Sequence, residues 1–269
     1  MGQERIIHAA LLGAGTVGSG VYKLVKDLEE EIVSKTGARL VVDKILVRDT
    51  TKAREGIPSE LLIDRWDEIL NDTKIEIVIE VMGGIPPALT WLEEALRAGK
   101  QVVTANKDLL AEYGEQLFDA AEAGKCDLHF EAAVAGAIPI IRPLRQSLAA
   151  SELTEVMGIV NGTTNYILTR MTEDGMGYEE ALALATKLGY AESDPTADVE
   201  GYDAGRKVAI MASIAFNSNV TFSQVYTEGI THITAEDIRY AKEFGYVIKL
   251  IGMTRLTEGG VEVKVHPML

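Results

Sequence analysis

Cysteine and long apolar runs are nearly absent from this sequence of 269 residues. Its single cysteine, Cys126, excludes an internal disulfide framework and fits a reducing compartment. No apolar run approaches the roughly 18 residues that a membrane helix needs. Residues 1–12 also lack the charged start, the long apolar stretch and the small-residue cleavage site of a secretory signal. We therefore expect a soluble, cytoplasmic, globular protein.

Positive charge is also scarce, because 26 Lys+Arg stand against 41 Asp+Glu and leave a net charge of −15. This balance argues against broad contact with nucleic acid or anionic membranes. It does not argue against a small anionic ligand, which responds to its own pocket. Hydrophobic residues at 47% and charged residues at 25% are ordinary globular values, so the chain can bury the core of one large or two modest domains.

Short apolar strands alternate with helical stretches over the first half of the chain. The pattern predicts strands at 6–12, 39–47, 75–81, 101–104 and 127–134, and helices at 17–34, 87–98 and 109–123. Such alternation is typical of βαβ units with right-handed crossovers, which form a doubly wound parallel sheet of the α/β class. Ligands of such sheets bind at the carboxyl ends of the strands.

The character of the sequence changes near Ala137 and Pro139. Beyond this point come the stretch 155–160 and a polar patch at 161–165, followed by predicted helices at 178–188, 202–216 and 235–244 and paired strands at 247–257 and 261–265. This mixture indicates an α+β domain. We therefore expect a dinucleotide-binding domain over 1–137 and a second domain over 138–269.

A glycine-rich turn follows the first predicted strand and opens the first predicted helix. It reads GAGTVG over residues 13–18, the GxGxxG pattern of dinucleotide-binding turns. The first glycine permits the tight turn, the second lets backbone approach a pyrophosphate, and the third allows close packing of helix on strand. The alternative is a turn that only packs. We assign the cofactor contacts to Gly13, Gly15, Thr16, Val17 and Gly18.

The residues after the second strand bear on the choice between NAD and NADP. Here the strand ends at Val47 and is followed by Arg48 and Asp49, with Lys52 close by. Arg48 could pair with a 2′-phosphate, or it could be a solvated surface charge, and Asp49 could hold a 2′-hydroxyl. Both cofactors stay open, and the cations favour NADP.

Residues 189–207 are dense in carboxylates and end in a lysine. Asp203 and Lys207 lie four apart on a predicted helix, with the acid on the N-terminal side, which favours pairing. Apolar residues continue the same stripe, so the lysine lies on an inward face where its ammonium needs a carboxylate. Such a lysine can act as general acid toward a developing alkoxide. A structural salt bridge is an equally weighted alternative.

Two further polar features lie at element ends. Asn106-Lys107 follows the strand at 101–104, so Lys107 is either a second cation near the site or a surface lysine at a helix start. The patch at 161–165 suits contacts with an amino-acid head group, and helix capping is equally plausible.

Five motifs carry a resemblance to a known family. They are GAGTVG (13–18), TANK (104–107), EAAVAGAIPII (131–141), GIVNGTTNYIL (158–168) and LGYAESDPTADVEGYDAGRK (188–207). On these motifs the sequence resembles the homoserine dehydrogenases. The resemblance implies a Rossmann-type domain followed by an α+β domain for catalysis and dimerisation. It also implies NAD(P)-dependent interconversion of L-homoserine and L-aspartate 4-semialdehyde, in threonine and methionine biosynthesis.

The resemblance also assigns roles motif by motif. Lys207 resembles the catalytic lysine of the family, and Lys107 resembles a second active-site lysine near both nicotinamide and substrate. Glu192 and Asp203 resemble the carboxylates that hold the substrate, with Asp198 as a nearby polar contributor. These five residues are the predicted catalytic and substrate-binding set.

Two more expectations rest on the resemblance alone. Gly189 is expected to lie close to the cofactor. Glu131, Val134, Gly136 and Ile138 match a loop that binds a monovalent cation, usually sodium, mostly through backbone carbonyls. We expect no catalytic metal, because the histidines are scattered.

The family continues well past a segment like residues 261–269, and many members carry a regulatory ACT domain. We therefore expect a chain that is incomplete relative to the family, without feedback control by threonine. A homodimer or homotetramer is expected by resemblance. Two alternatives remain: a non-catalytic or partner-dependent NAD(P)-binding remnant of the family, and a dehydrogenase of another amino acid.

Overall fold

The computed structural model describes residues 5–269 and divides into two compact units, which meet between Ala133 and Val134. The first four residues of the segment examined for a secretory signal lie outside the described residues. The division expected after residue 137 lies in the same stretch of turns. Within residues 5–269, no helix has both the length and the apolar character that a membrane crossing requires.

The first unit is a parallel sheet of six strands flanked by helices. Its elements are β1 (Arg5–Leu12), α1 (Thr16–Asp27), α2 (Glu29–Thr36), β2 (Ala38–Leu46), β3 (Leu62–Ile63), α3 (Asp67–Leu70), β4 (Ile75–Glu80), α4 (Ala88–Arg97), β5 (Gln101–Thr104), α5 (Lys107–Gly124) and β6 (Leu128–His129). The strand order is β3-β2-β1-β4-β5-β6, the doubly wound order in which strands are added first on one side of β1 and then on the other. The predicted α/β class is confirmed.

Two predicted elements of this unit are wrong. The helix expected over 17–34 is two helices, because Leu28 leaves helical geometry and ends α1 before α2 begins. The apolar spacing continues through Ile32 in α2 and so does not mark the break, although α1 buries Tyr22 and Val25 and α2 buries no residue. The strand expected over 127–134 is only two residues long. Phe130, Ala133 and Val134 after it are buried, but the backbone there forms a 3-10 turn over Glu131–Ala133, so their burial does not come from strand pairing.

The second unit is an α+β arrangement around a four-stranded mixed sheet. Its elements are β7 (Glu155–Gly158), α6 (Gly162–Asp174), α7 (Tyr178–Lys187), α8 (Thr196–Val199), α9 (Tyr202–Ala215), β8 (Tyr226–Thr227), α10 (Ala235–Glu243), β9 (Lys249–Thr257) and β10 (Gly260–Met268). The strand order is β7-β9-β10-β8, antiparallel except for β10 with β8. The sequence pattern does not predict α6, because its first turn consists of residues with low helix propensity.

Glycines let α9 lie unusually close to its neighbours. A Cβ added at Gly252 on β9 would lie 2.4 Å from Val208 Cγ2, and one added at Gly205 would lie 2.7 Å from the Phe222 ring. The apolar face of α9 is buried over residues 208–212. This packing fixes the position of Asp203 and the residues that follow it along the helix.

Candidate functional site

The turn between β1 and α1 uses its three glycines in different ways. Gly13 has a φ of +99°, and a Cβ added there would lie 2.9 Å from Met82 Cγ. A Cβ at Gly18 would lie 2.1 Å from the Gly13 carbonyl oxygen. A Cβ at Gly15 meets no heavy atom within 4 Å. Two glycines therefore serve packing, and the third keeps its backbone open to a ligand.

This turn lies where ligands bind in open α/β sheets. It follows β1, whose neighbours on the two sides are β2 and β4, so it lies at the point where the strand order switches from one side of β1 to the other. Gly15 is the N-cap of α1 and has no side chain, and Thr16 and Val17 are exposed in the first turn of the helix. The backbone N–H groups and the partial positive charge of this helix end suit a pyrophosphate. The residues present therefore fit a dinucleotide.

A buried carboxylate holds the loops at the ends of β4 and β5. Glu80 is fully buried, and its Oε1 accepts hydrogen bonds from the backbone N–H groups of Met82 (2.8 Å) and Gly83 (3.0 Å). Its Oε2 accepts a hydrogen bond of 2.6 Å from the Thr104 hydroxyl, which in turn accepts from the Asn106 N–H. Sequence reasoning missed this network, although an acid inside an apolar strand was a visible signal.

Asn106 sets the position of Lys107. Its Oδ1 accepts from Leu109 N–H at 3.1 Å and so caps α5, and its Nδ2 donates to the Gly84 carbonyl at 2.6 Å. Lys107 is therefore the first residue of α5, half-buried at the carboxyl end of β5. The edge position expected for it is present, and its role stays a prediction.

In the loop after β2, Arg48 and Asp49 are both exposed, and the acid is held by hydrogen bonds within the loop. Asp49 Oδ1 accepts hydrogen bonds from the Thr51 hydroxyl (2.6 Å) and the Thr51 N–H (2.9 Å), and these donors hold the pKa of Asp49 below its ordinary value. Arg54 braces the same loop by donating to the carbonyls of Asp49 and Lys52. Arg48 is exposed at the start of the loop.

Asp203 and Lys207 form the ion pair that their spacing predicts. The Lys207 Nζ lies 2.6 Å from Asp203 Oδ2 and donates a second hydrogen bond of 2.9 Å to the Val160 carbonyl. The two side chains are only 17% and 8% exposed. The ammonium is therefore held by one charged and one neutral acceptor, with its stem packed inward.

Asn161 joins this pair to a second carboxylate. Its Nδ2 donates to Asp198 Oδ1 at 2.7 Å and to Asp203 Oδ2 at 2.9 Å. Its Oδ1 accepts from the Thr164 N–H and the Thr164 hydroxyl, both at 2.9 Å, and so caps α6. The structure thus shows capping for the polar patch, and the bridge between the carboxylates is a feature that sequence reasoning missed.

Glu192 and Gly189 lie in the exposed turn between α7 and α8. Gly189 has a φ of +79°, and the Thr163 hydroxyl ties this turn to the start of α6 through a 2.8 Å hydrogen bond to the Tyr190 carbonyl. Asp198, Asp203 and Lys207 belong to one hydrogen-bonded cluster. Glu192 has no hydrogen bond or ion pair to that cluster in the described part of the chain.

The loop matched to a cation site contains unusual backbone. Ala135 and Ala137, which flank Gly136, have φ values of +50° and +68°, a region that residues with a Cβ rarely adopt. Such strain clusters at ligand sites. The four predicted residues differ in exposure, with Glu131 half-buried, Val134 buried, and Gly136 and Ile138 exposed. Among residues 5–269, no cluster of three or more His, Cys, Asp or Glu could hold a metal ion.

Cys126 has the environment of a structural thiol. Its Sγ donates to the Leu96 carbonyl at 3.2 Å, and burial raises the pKa of the thiol. A raised pKa keeps the thiol protonated and unreactive.

Comparison with known proteins matches both units to one family. The model for the NAD-binding domain of homoserine dehydrogenase matches residues 13–131, and the homoserine dehydrogenase model matches residues 139–269. The homoserine dehydrogenase of Bacillus subtilis is 46% identical over 98% of this chain and 61% of that protein. That of Mycobacterium tuberculosis is 50% identical over 100% of this chain and 62% of that protein. The chain therefore spans about three fifths of these relatives.

Solved structures agree. A homoserine dehydrogenase from Thiobacillus denitrificans has a TM-score of 0.93 and 45% identity, covering 98% of this chain and 62% of its own. A putative homoserine dehydrogenase from Archaeoglobus fulgidus has a TM-score of 0.84 and 34% identity, covering 98% of this chain and 83% of its own. Because both domain models match and the similarity to these proteins extends over nearly the whole chain, the chain belongs to the homoserine dehydrogenase family.

Proposed function

We propose that this chain catalyses the NAD(P)-dependent interconversion of L-homoserine and L-aspartate 4-semialdehyde, with Lys207 as the general acid and base. The observation that carries the proposal is the inward-facing Lys207 ammonium, held by Asp203 in a cluster with Asn161 and Asp198. It occurs in a chain whose first unit matches an NAD-binding domain.

The lysine is arranged to give up one proton. An ammonium has three N–H donors, and within residues 5–269 Lys207 donates two, to Asp203 Oδ2 and to the Val160 carbonyl. The third is available to a substrate oxygen. A bound dihydronicotinamide supplies the hydride for the aldehyde carbon. As the carbonyl oxygen becomes an alkoxide, Lys207 stabilises its charge and transfers the proton, and the neutral amine regains a proton from water.

Carboxylates and a second lysine suit the rest of the substrate. Homoserine and aspartate semialdehyde carry an ammonium that needs an anion and a carboxylate that needs donors. We assign the substrate ammonium to Glu192, Asp198 and Asp203, and the second cationic role, near nicotinamide and substrate, to Lys107. Asp198 is half-buried and fixed by Asn161, whereas Glu192 is exposed.

The deciding experiment measures turnover of aspartate semialdehyde and of homoserine with both nicotinamides. We expect Lys207→Ala to lower kcat at least ~100-fold, the usual contribution of general acid–base catalysis, while NADPH affinity is kept. Lys242→Ala, a change of an exposed lysine on α10, is the control and should leave kcat unchanged. Wild-type kcat in Lys207→Ala would remove that residue from the chemistry.

A second candidate is a partner-dependent or non-catalytic NAD(P)-binding protein. The matched region is 61% of the Bacillus subtilis relative, so the activity of these 269 residues by themselves needs its own test. Purified chain that binds NADPH but never consumes it with aspartate semialdehyde would support this candidate. Turnover of another amino-acid substrate instead would point to a different dehydrogenase.

The loop after β2 supports NADP over NAD. Arg48 and Asp49 are both exposed, but Asp49, the acid that could hold a 2′-hydroxyl, already accepts two hydrogen bonds from Thr51. Loss of one charge-assisted hydrogen bond costs about 1.5–3 kcal/mol, which is roughly tenfold or more. Arg48→Ala should therefore lower the ratio of kcat/KM for NADPH to that for NADH by about tenfold, and Lys35→Ala on α2 should not change it.

Three further assignments complete the proposal. The contorted backbone at Ala135 and Ala137 supports a sodium ion held by carbonyls in the segment 131–138, and replacing sodium with choline in the assay tests it. A homodimer or homotetramer is tested by light scattering, where a species of about the 29.2 kDa chain mass would contradict it. The free Cys126 is compatible with a cytoplasmic location.

A further inference from the structure

We propose that Asn161 is a positioning residue, whose carboxamide fixes two carboxylates relative to each other and thereby aims the Lys207 ammonium. This inference rests on the proposed function of Lys207. It goes beyond that function because it makes a neutral residue, distant from Lys207 in the sequence, responsible for the direction in which the ammonium points.

One NH₂ group connects two helices. Asn161 Nδ2 donates to Asp198 on α8 at 2.7 Å and to Asp203 on α9 at 2.9 Å. Both hydrogens of the amide are thereby used, each on a different carboxylate. Like charges repel, and Asp203 is 6% exposed and poorly screened. A shared neutral donor offsets this repulsion without adding charge, so the two acids keep a fixed separation.

The Oδ1 and Nδ2 ends of the Asn161 amide cannot exchange places. Its Oδ1 accepts from both the N–H and the hydroxyl of Thr164, which is fully buried. A flipped amide would lose both of these hydrogen bonds and place its oxygen against two carboxylates. The network therefore determines which end of Asn161 faces the acids.

The same segment holds Lys207 from two sides. Asp203 Oδ2 accepts from Asn161 Nδ2 and from Lys207 Nζ, and the carbonyl of the preceding residue, Val160, accepts from Lys207 at 2.9 Å. Both acceptors of the ammonium are thus set by residues 160 and 161. The charged groups that these hydrogen bonds join are Lys207 and Asp203 on α9 and Asp198 on α8, and Gly252 of β9, which lies beside Val160, is neutral.

Helix capping alone does not explain the residue. Serine and aspartate cap helices about as well as asparagine, so either could serve α6. Neither can donate two hydrogen bonds to carboxylates. Asn161→Ser keeps the cap and removes the bridge, and Asn161→Asp keeps the cap, removes the bridge and adds a third negative charge. These variants separate positioning from capping.

The experiment compares kcat, KM, NADPH affinity and melting temperature of wild type, Asn161→Ser and Asn161→Asp. We expect both variants to stay folded at the assay temperature and to bind NADPH normally, because the cap survives, but to melt several degrees below wild type, because each loses two hydrogen bonds to carboxylates. We expect kcat of Asn161→Ser to fall about 10- to 100-fold, since small misplacement of a catalytic group has effects of that size. Thr234→Ala, which removes the cap of α10, is the control for lost capping and should lower the melting temperature without lowering kcat.

The pH profile of kcat in Asn161→Asp provides a second test, because a residue that only caps a helix would not change it. The extra carboxylate favours the ammonium form of Lys207, and homoserine oxidation needs the neutral amine as base. The acidic limb of the kcat profile for homoserine should therefore move to higher pH. Wild-type kcat and pH profile in both variants would overturn the inference, as would a fall in kcat matched by an equal loss of folded protein.

A readout independent of turnover separates this inference from the proposed function. In ¹³C NMR of lysine-labelled protein, the Lys207 Cε signal, identified by its loss in Lys207→Arg, should shift in Asn161→Ser relative to wild type, because the ammonium loses the fixed position of its carboxylate partner. An inactive wild type that still shows this shift would refute the proposed function and support the positioning role. An active wild type whose Lys207 signal is unchanged in Asn161→Ser would refute the positioning role alone.

Discussion

Alanine substitutions along the start of α1 separate packing from cofactor binding. An added Cβ at Gly18 would lie 2.1 Å from the Gly13 carbonyl oxygen, about 1 Å closer than such contacts allow. Backbone lies on both sides of this contact, so no side chain can move away. An added Cβ at Gly15 or Gly20 meets nothing within 4 Å. Gly15 has a φ of −80° that alanine adopts freely, and Gly20 lies exposed inside α1.

The three variants should therefore change the free energy of unfolding differently: one lowers it, one raises it and one leaves it nearly unchanged. Gly18→Ala should lower the free energy of unfolding by about 1–3 kcal/mol, the usual cost of overpacking. Gly20→Ala should raise it by about 0.5–1 kcal/mol, because alanine favours the helix and restricts the unfolded chain. Gly15→Ala should leave it within about 0.5 kcal/mol of wild type. The same Gly15→Ala change should weaken NADPH binding about tenfold or more, because its methyl group occupies the space where pyrophosphate approaches the backbone.

Urea unfolding and NADPH fluorescence titration measure the two quantities on the same preparations. Gly20→Ala serves as the matched control, since it changes the same helix without entering the turn. Wild-type NADPH affinity in Gly15→Ala would refute the assignment of the turn to the pyrophosphate. Wild-type stability in Gly18→Ala would refute the argument from close helix–strand packing.

Three other changes test the contacts that support the two units. Thr104→Val removes a hydrogen bond to the buried Glu80 and should lower the free energy of unfolding by about 1–3 kcal/mol in urea titrations, whereas Thr104→Ser, which keeps the hydroxyl, should cost less. The Lys44 ammonium, 2.8 Å from Asp72, and the Lys74 N–H lower the pKa of the Asp72 carboxyl, so this stabilisation is present above about pH 4 and is lost as the pH falls through the depressed value. Asp72→Asn should thus destabilise by up to about 1 kcal/mol at pH 7, and a destabilisation that persists undiminished at pH 3 would contradict this. Gly252→Ala should clash with Val208 Cγ2, and Val208→Ala should partly rescue it; additive free energies in the double-mutant cycle would show that the two positions do not interact.

Local patterns in the sequence determined much of this protein. Parallel strands, the turn at 13–18 and the helices α7, α9 and α10 follow from apolar periodicity and glycine placement, which act over a few residues. The Asp203–Lys207 pair belongs to the same class, because residues four apart on a helix are neighbours whatever the rest of the fold does. The family motifs added the expected reaction, which no local rule contains.

Tertiary structure alone decided which distant groups meet. Asn161 reaches Asp198 and Asp203 across separations of 37 and 42 residues, and Glu80 reaches Thr104 across 24. The strand expected at 127–134 became a short strand and a turn for a related reason, since burial there comes from the surrounding unit and not from pairing. Hydrogen bonds between remote segments leave no periodic trace in a sequence, because their partners are brought together by the packing of whole helices and sheets.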